Sequence, residues 1–244
     1  MIGLIDADHI PYIVCYNKIG EPEKTLEDAI KQANNYLQGL LNGANVEEFI
    51  LFFTIGTNFR YQIYPEYKAN RKGLEKPPFF NEVRDYLVKE YNGIHGYNLE
   101  ADDVLNIYKN KYIAERVSYI VISTDKDINN LVGLNYDIKN NVARLVDQEY
   151  ADQYFWGSVI TGDTADNIKG VPGKGPAFIK KLWESTKDIN LLKSKVICEY
   201  INYFGEEVGI EEFYKNYKCL KIKDSYEGME FINPVKSTKK KKKT

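Results

Sequence analysis

The sequence predicts an α/β fold, a mainly parallel central sheet flanked by helices, followed by a C-terminal helical region. Three observations predict it. The runs "MIGLIDADH", "EEFILFFT" and "VSYIVISTDKD" have the length and near-continuous apolar character of strands buried on both faces. Segments of helical period separate them, the order in which crossover helices join parallel strands. From Asp147 onward the pattern turns helical.

Taken in order, "MIGLIDADH" is a buried strand that delivers Asp6 and Asp8 to its C-terminal end. From Thr25, an N-cap residue, Leu26, Ala29, Ile30, Ala33, Leu37, Leu40 and Leu41 recur at helical spacing, and this helix is expected to stop near Gly43. "EEFILFFT" is the second strand. The stretch "YQIYPEYKANRKGLEKPP" is polar, basic and aromatic, and Pro77-Pro78 breaks the chain before a helix from about Phe79 to Tyr91. "LEADDVLNIYKNKYIAE" is a helix with its acids in the first turn, and "VSYIVISTDKD" is a third strand ending in acids. "YDIKNNVARLVD" reads as a strand pair around Asn140-Asn141. The expected organisation is an α/β domain over 1–146, a helical region over 147–235 and a disordered lysine tail over 236–244.

Composition narrows the chemistry. Two histidines and three widely spaced cysteines exclude a multi-histidine centre, a disulfide framework and a Cys-rich zinc site, so the cysteines are expected to be buried thiols and a metal would take oxygen ligands. No apolar run reaches membrane-spanning length and no secretion signal opens the chain, so a cytoplasmic protein with no membrane partner is expected. The net charge is −2, but the last nine residues hold six lysines, so the body is more acidic than the total suggests.

Ligands of open α/β sheets bind beyond the carboxyl ends of the strands. Asp6, Asp8, Asp125 and Asp127 fall there, and the helix carrying Glu100, Asp102 and Asp103 is expected to start at the same edge. Separately, each group has a plain reading: first-turn acids, an Asp-rich turn, a strand end. Together with Asp163 and Asp166 they would repel one another unless cations neutralise them, and magnesium or manganese is the natural counterion. Two such ions can serve phosphodiester hydrolysis.

The segment "GDTADNIKGVPGKGPAFIKKL" sets Asp163 and Asp166 just before a glycine-rich loop suited to phosphate. It reads as a helix-hairpin-helix in which Gly170, Val171, Gly173 and Gly175 bring the backbone to DNA and Lys174, Lys180 and Lys181 add charge; the plain alternative is a Gly-Pro turn. Metal standing between the acids and the phosphate would reconcile the two halves. In "YPEYKANR", Lys68 and Arg71 share one side if the segment is helical and could grip a scissile phosphate; otherwise they are a solvated basic face. Tyr61, Tyr64 and Tyr67 are candidates for stacking on bases.

In that order, "LIDAD", "YPEYKANR", "LEADD", "ISTDKD" and "GDTADNIKGVPGKG" resemble the motifs of the flap endonuclease or 5′-3′ exonuclease family, in its bacteriophage and bacterial branch. The resemblance runs from residue 1 to about 185. It implies a PIN-like nuclease domain, a DNA-gripping helix-hairpin-helix variant and hydrolysis dependent on two divalent ions, near the 5′ end of flapped, nicked or RNA-primed DNA. By position it implies a first metal site at Asp6, Glu100, Asp102 and Asp103, a second at Asp125, Asp127, Asp163 and Asp166, a catalytic lysine at Lys68 and a phosphate-binding Arg71. It further implies a potassium ion held by hairpin carbonyls around Val171 and Gly173.

Two departures stand out. Where the family carries an Asp after its second strand this chain has Thr54, and Asp8 is a candidate to compensate. Between Arg71 and the helix near Phe79 only "KGLEKPP" remains for the arch through which relatives thread a 5′ strand, so a short or open arch is expected. A structure-specific DNA-binding protein without catalysis is the alternative, and a PIN-type ribonuclease leaves the hairpin unexplained. A monomer is expected, with replication proteins as partners and the lysine tail as a DNA-affinity arm.

Overall fold

The computed structural model describes residues 1–17, 23–186 and 188–225; the lysine tail over 236–244 lies outside the described residues. The chain runs β1 (Ile2–Asp6), α1 (His9–Cys15), α2 (Leu26–Ala44), β2 (Glu48–Phe53), α3 (Arg60–Ile63), α4 (Phe80–Glu90), β3 (Ile94–His95), α5 (Ala101–Ala114), β4 (Tyr119–Ser123), β5 (Gly133–Asp137) and β6 (Val142–Val146). It continues with α6 (Gln148–Thr161), a ribbon of β7 (Gly162–Asp163) and β8 (Ile168–Lys169), α7 (Pro176–Glu184), α8 (Ile189–Phe204) and α9 (Glu206–Leu220).

The six-stranded sheet has the order β3-β2-β1-β4-β5-β6, parallel except for the antiparallel β5–β6 hairpin. β1 is central and apolar on both faces, as the unbroken "IGLI" requires. Ile5, Leu51 and Ile122 pack toward α1, α2 and α4, while Leu4, Phe52 and Val121 pack toward α5. Thr25 caps α2 in a reciprocal capping box with Asp28. This mostly parallel sheet with covered faces is the PIN-like class expected from the sequence.

A separate apolar cluster, with Trp156, Val159, Trp183, Val196, Tyr200 and Phe213, holds α6 to α9 together. Two small elements escape the sequence pattern: β3 spans two residues, and the β7–β8 ribbon interrupts the helical region. Within the region expected to be helical, α8 and α9 are separate helices, turned at Gly205 with φ +86°. Cys15 and Cys219 are buried, but Cys198 is exposed, which corrects the expectation of three buried thiols. No helix among the described residues is long and apolar enough to cross a membrane.

Candidate active site

The parallel strands β1 and β4 end side by side, and a pocket of about 220 Å³ opens beyond them. Its lining includes Asp6, Asp8, Thr54, Lys68, Arg71, Glu100, Asp102, Asp125, Asp127 and Asp166. Of the nine predicted carboxylates, seven reach this pocket.

Local chemistry fixes most of them. Ser123, the last residue of β4, donates its hydroxyl to Asp6 Oδ2 at 2.9 Å and accepts the Asp125 N–H at 2.9 Å. Asp125 in turn caps the tight turn Lys126–Asn130 by accepting the Asp127 N–H at 2.9 Å. Thr54 directly follows β2: its N–H donates to Asp8 Oδ1 at 2.9 Å, and its hydroxyl accepts the Ala101 N–H that opens α5 at 2.9 Å. A carboxylate at Asp8 therefore sits directly against position 54, where the sequence lacked one.

Glu100 is the most heavily partnered acid. Lys68 Nζ lies 2.6 Å from Oε1, Asn58 Nδ2 3.1 Å from Oε1, the Tyr67 hydroxyl 2.7 Å from Oε2 and Arg60 Nη1 3.2 Å from Oε2. Burial pushes the Glu100 carboxyl up, but Lys68 and Arg60 outweigh it and hold it below the ordinary glutamate range. Lys68 is the mirror case: burial disfavours its charge, yet Glu100 and Asp166 raise it above the usual lysine range.

Lys68 and Arg71 do face one side, through a left-handed Lys68 (φ 54°) and a single 3-10 turn rather than an α-helix. Arg71 Nη2 binds Asp166 Oδ1 at 2.7 Å. The Lys68 N–H donates to the Asp166 carbonyl at 2.9 Å, and Asn167 Nδ2 donates to the Glu66 carbonyl at 2.8 Å, so the turn between β7 and β8 is stitched to the basic turn. Between Arg71 and α4 the chain runs without a helix, as the short "KGLEKPP" implied.

The geometry corrects several expectations. Asp103 is fully buried and does not line the pocket; Arg60, which does, takes both its oxygens at 2.6 and 2.9 Å. Asp163 is 4% exposed, pairs with Lys126 at 2.9 Å and does not line the pocket. Tyr67 is 2% exposed and its hydroxyl lies between Glu100 and Asp166, so its ring is closed to base stacking; Tyr64 is buried as well, and of the three only Tyr61 is exposed. Gly170 is a packing glycine, since a Cβ there would stand 2.2 Å from the Thr161 carbonyl carbon. Val171 is buried and its carbonyl accepts the Lys174 N–H at 3.2 Å. Gly173 and Gly175 have open space where a Cβ would stand, and Gly173 has φ +77°. Lys174 is engaged by Glu199 at 2.6 Å, whereas Lys181 is exposed and Lys180 is 77% exposed. Residues that the sequence did not single out are Arg60, Asn58, Ser123 and Lys126. Lys126 carried a signal, a cation between two acids in "STDKD"; Arg60 carried none, being one cation in a polar stretch.

The remaining acids test whether metal suits the site. Among the described residues, ion pairs from Lys or Arg reach Glu100, Asp103, Asp163 and Asp166 but not Asp6, Asp8, Asp102, Asp125 or Asp127. Burial and then Asp8 push Asp6 up to about 7; burial alone dominates for Asp8, at about 6; burial and then Asp125 push Asp127 up to about 7. Burial and Asp103 hold Asp102 well above the usual carboxylate range. Hard oxygen donors that lack positive charge fit a divalent cation chemically. As the side chains stand, no group of three acidic, histidine or cysteine residues among the described residues is arranged to hold one metal ion.

Comparison with known proteins bears on the family and the fold. The family model of the 5′-3′ exonuclease N-terminal resolvase-like domain matches residues 1–155. A 5′-3′ exonuclease of Mycoplasmopsis pulmonis is 32% identical over 165 residues, covering 61% of this chain and 54% of that protein. A flap endonuclease Xni of Vibrio vulnificus is 24% identical over 240 residues, covering 88% and 92%. The chain thus spans about half the length of several curated relatives it matches. The bacteriophage T5 D15 protein co-crystallised with metal ions shares the fold with TM-score 0.64 at 18% identity, over 90% of both chains. A structure of that flap endonuclease with DNA and metal ions has TM-score 0.57 at 17% identity, covering 90% of this chain and 98% of that one.

Proposed function

The chain belongs to the 5′-3′ exonuclease family, and from that premise we propose that it is a structure-specific 5′ nuclease that hydrolyses phosphodiesters at 5′ flaps, nicks or RNA-primed ends of DNA. One observation carries the reading: Lys68 and Arg71 are presented into a sheet-edge pocket whose other wall is acidic, with Lys68 Nζ 2.6 Å from Glu100. A pure DNA-binding surface has no use for buried carboxylates beside its cations.

Asp6, Asp8, Asp102, Asp125 and Asp127 would hold two magnesium or manganese ions, with Glu100 and Asp166 joining them when their cations turn to substrate. Such ions supply charge neutralisation at the phosphate and activation of water. Lys68, half-buried and positively charged, would exchange Glu100 for a phosphate oxygen and stabilise charge as it develops in the transition state. Arg71, half-exposed at the rim, would swing from Asp166 to an adjacent phosphate. Ser123, Thr54 and Asn58 orient the carboxylates while this exchange proceeds.

The open glycines Gly173 and Gly175, with Lys180 and Lys181, would hold duplex DNA, and a potassium ion at the hairpin carbonyls belongs to this reading. The α/β part over 1–146 would carry the chemistry and the helical part from 147 the duplex grip. A monomer working beside replication proteins in the cytoplasm completes it. The short connection from Arg71 to α4 favours action on blocked 5′ ends as well as free ones.

The test is a panel of labelled 5′-flap, nicked, blocked-end and RNA-primed duplexes with magnesium, manganese or chelator. Metal-dependent release of short 5′ products is expected; binding without cleavage in both metals would establish the DNA-binding alternative instead.

A further inference from the structure

Arg60 lies outside every motif that identified the site, yet it has more buried polar contacts than any other cation described. It is 2% exposed. Its guanidinium takes both oxygens of Asp103 and approaches Glu100 at 3.2 Å, and its Nε donates to the Cys219 carbonyl at 2.7 Å. A further contact reaches the Lys221 carbonyl at 3.4 Å. Asp103 is held from two more directions: it accepts the Glu100 N–H at 3.1 Å and the Lys223 N–H at 2.9 Å.

Those bonds join parts of the chain more than a hundred residues apart. The segment Cys219–Asp224 leaves the end of α9 and runs along α5 as a strap. Asn106 Nδ2 donates to the Lys223 carbonyl and Asn110 Nδ2 to the Asp224 carbonyl, each at 2.9 Å, and Ile222 is buried in the α5 cluster. The strap thus lies along the helix whose N-cap is Glu100 and whose first turn carries Asp102. Arg60 is the knot between strap, helix start and the turn that leads to Lys68.

We propose that Arg60 is a positioning residue for hydrolysis: with Asp103 it fastens the strap Cys219–Asp224 to the start of α5, and so sets Glu100 and Asp102 against Lys68. This rests on the nuclease reading above. Its physical basis is the fork geometry of a guanidinium, which fixes two carboxylates and a carbonyl in one plane as an ammonium cannot. A buried ion pair contributes little net stability compared with an apolar pair of similar volume, so its use here is orientation. The consequence is that the helical region, through the exit of α9, contributes to the catalytic geometry as well as to DNA grip.

Three variants test this on the full chain, with wild type measured on the flap panel beside them. Arg60→Lys keeps the charge and loses the fork. The double variant Arg60→Met/Asp103→Leu exchanges the buried pair for apolar volume. Lys223→Pro removes the strap N–H from Asp103 and alters no acidic side chain. For each, kcat, KM, DNA affinity in chelator, melting temperature and amide exchange at Glu100 are read. The expected result is a kcat lowered about tenfold or more in the first two and several-fold in Lys223→Pro. KM and chelator affinity should stay within about twofold, Glu100 amide exchange should be faster, and the double variant should melt near wild type. Normal kcat in the double variant and in Lys223→Pro would overturn the proposal while leaving the nuclease reading intact. So would a fall in kcat that tracks melting temperature and affinity together, the mark of a general structural role. Wild-type inactivity on every substrate would overturn the nuclease reading itself and this inference with it.

Discussion

The sheet-edge pocket and the Gly170–Gly175 loop are joined by the short β7–β8 ribbon, yet they are held by different interactions. At the pocket wall and just behind it, buried charges are fixed from several sides at once, Glu100 in the wall by four side chains and Asp103 behind it by Arg60 and two backbone amides. In the loop, Gly173 and Gly175 meet open space, and Lys174 depends on one ion pair to Glu199 and the face of Phe178. An over-determined network tolerates little displacement, so changes there should act on rate. A loosely held basic loop should act on affinity and salt response.

The largest separation should come from Asp102→Asn. Single-turnover cleavage of a flap duplex should fall about 10²- to 10³-fold, with chelator affinity near wild type; equal rates would erase the division between the two regions. Next, Gly170→Ala should destabilise by about 2–4 kcal/mol, because the new Cβ meets backbone at 2.2 and 2.4 Å, not a flexible side chain. Gly173→Ala, strained only by its positive φ, should cost about 1 kcal/mol. Thermal melting distinguishes them, and equal costs would show that the loop is not divided into a packed and an open half.

A smaller effect separates the regions by pH. Asp6 and Asp127 at about 7 and Asp8 at about 6 bind protons more tightly folded than unfolded, where the ordinary value is 3.8. The folded state therefore holds more protons between about pH 4 and 7, and stability falls as pH rises through that window. In chelator the protein should melt several degrees higher at pH 5 than at pH 8, and magnesium should recover much of the loss at pH 8. Glu100 works in the opposite sense, only as pH drops below its ordinary range. The smallest effect belongs to Lys180→Ala, the exposed lysine of the proposed grip: DNA affinity should weaken modestly with a salt slope lower by about 1, and kcat should not change.

Strand ends and helix starts were legible because their signals are local: "IGLID" and "YIVIS" are continuous apolar runs, and "LEADD" is an acid-rich first turn. Their convergence on one edge followed from parallel topology. Orientation was not legible. Neighbouring residues in a first turn point in different directions, so Asp102 enters the pocket while Asp103 turns to a guanidinium forty-three residues away in sequence. Tyr67 was read as a stacking ring because its exposure depends on the packing of Ile168 and Cys219 around it, contacts no local pattern encodes. Arg60 was invisible for the same reason: its partners come from α5 and from the exit of α9.

The measurement that bears most directly on the central claim is Lys68→Ala against wild type: single-turnover cleavage of a labelled 5′-flap duplex in magnesium, with equilibrium affinity for the same duplex in chelator. A pocket in which this lysine exchanges Glu100 for the scissile phosphate predicts cleavage about 10²-fold slower at nearly unchanged affinity. Cleavage at the wild-type rate, or a loss of rate matched by an equal loss of affinity, would contradict it.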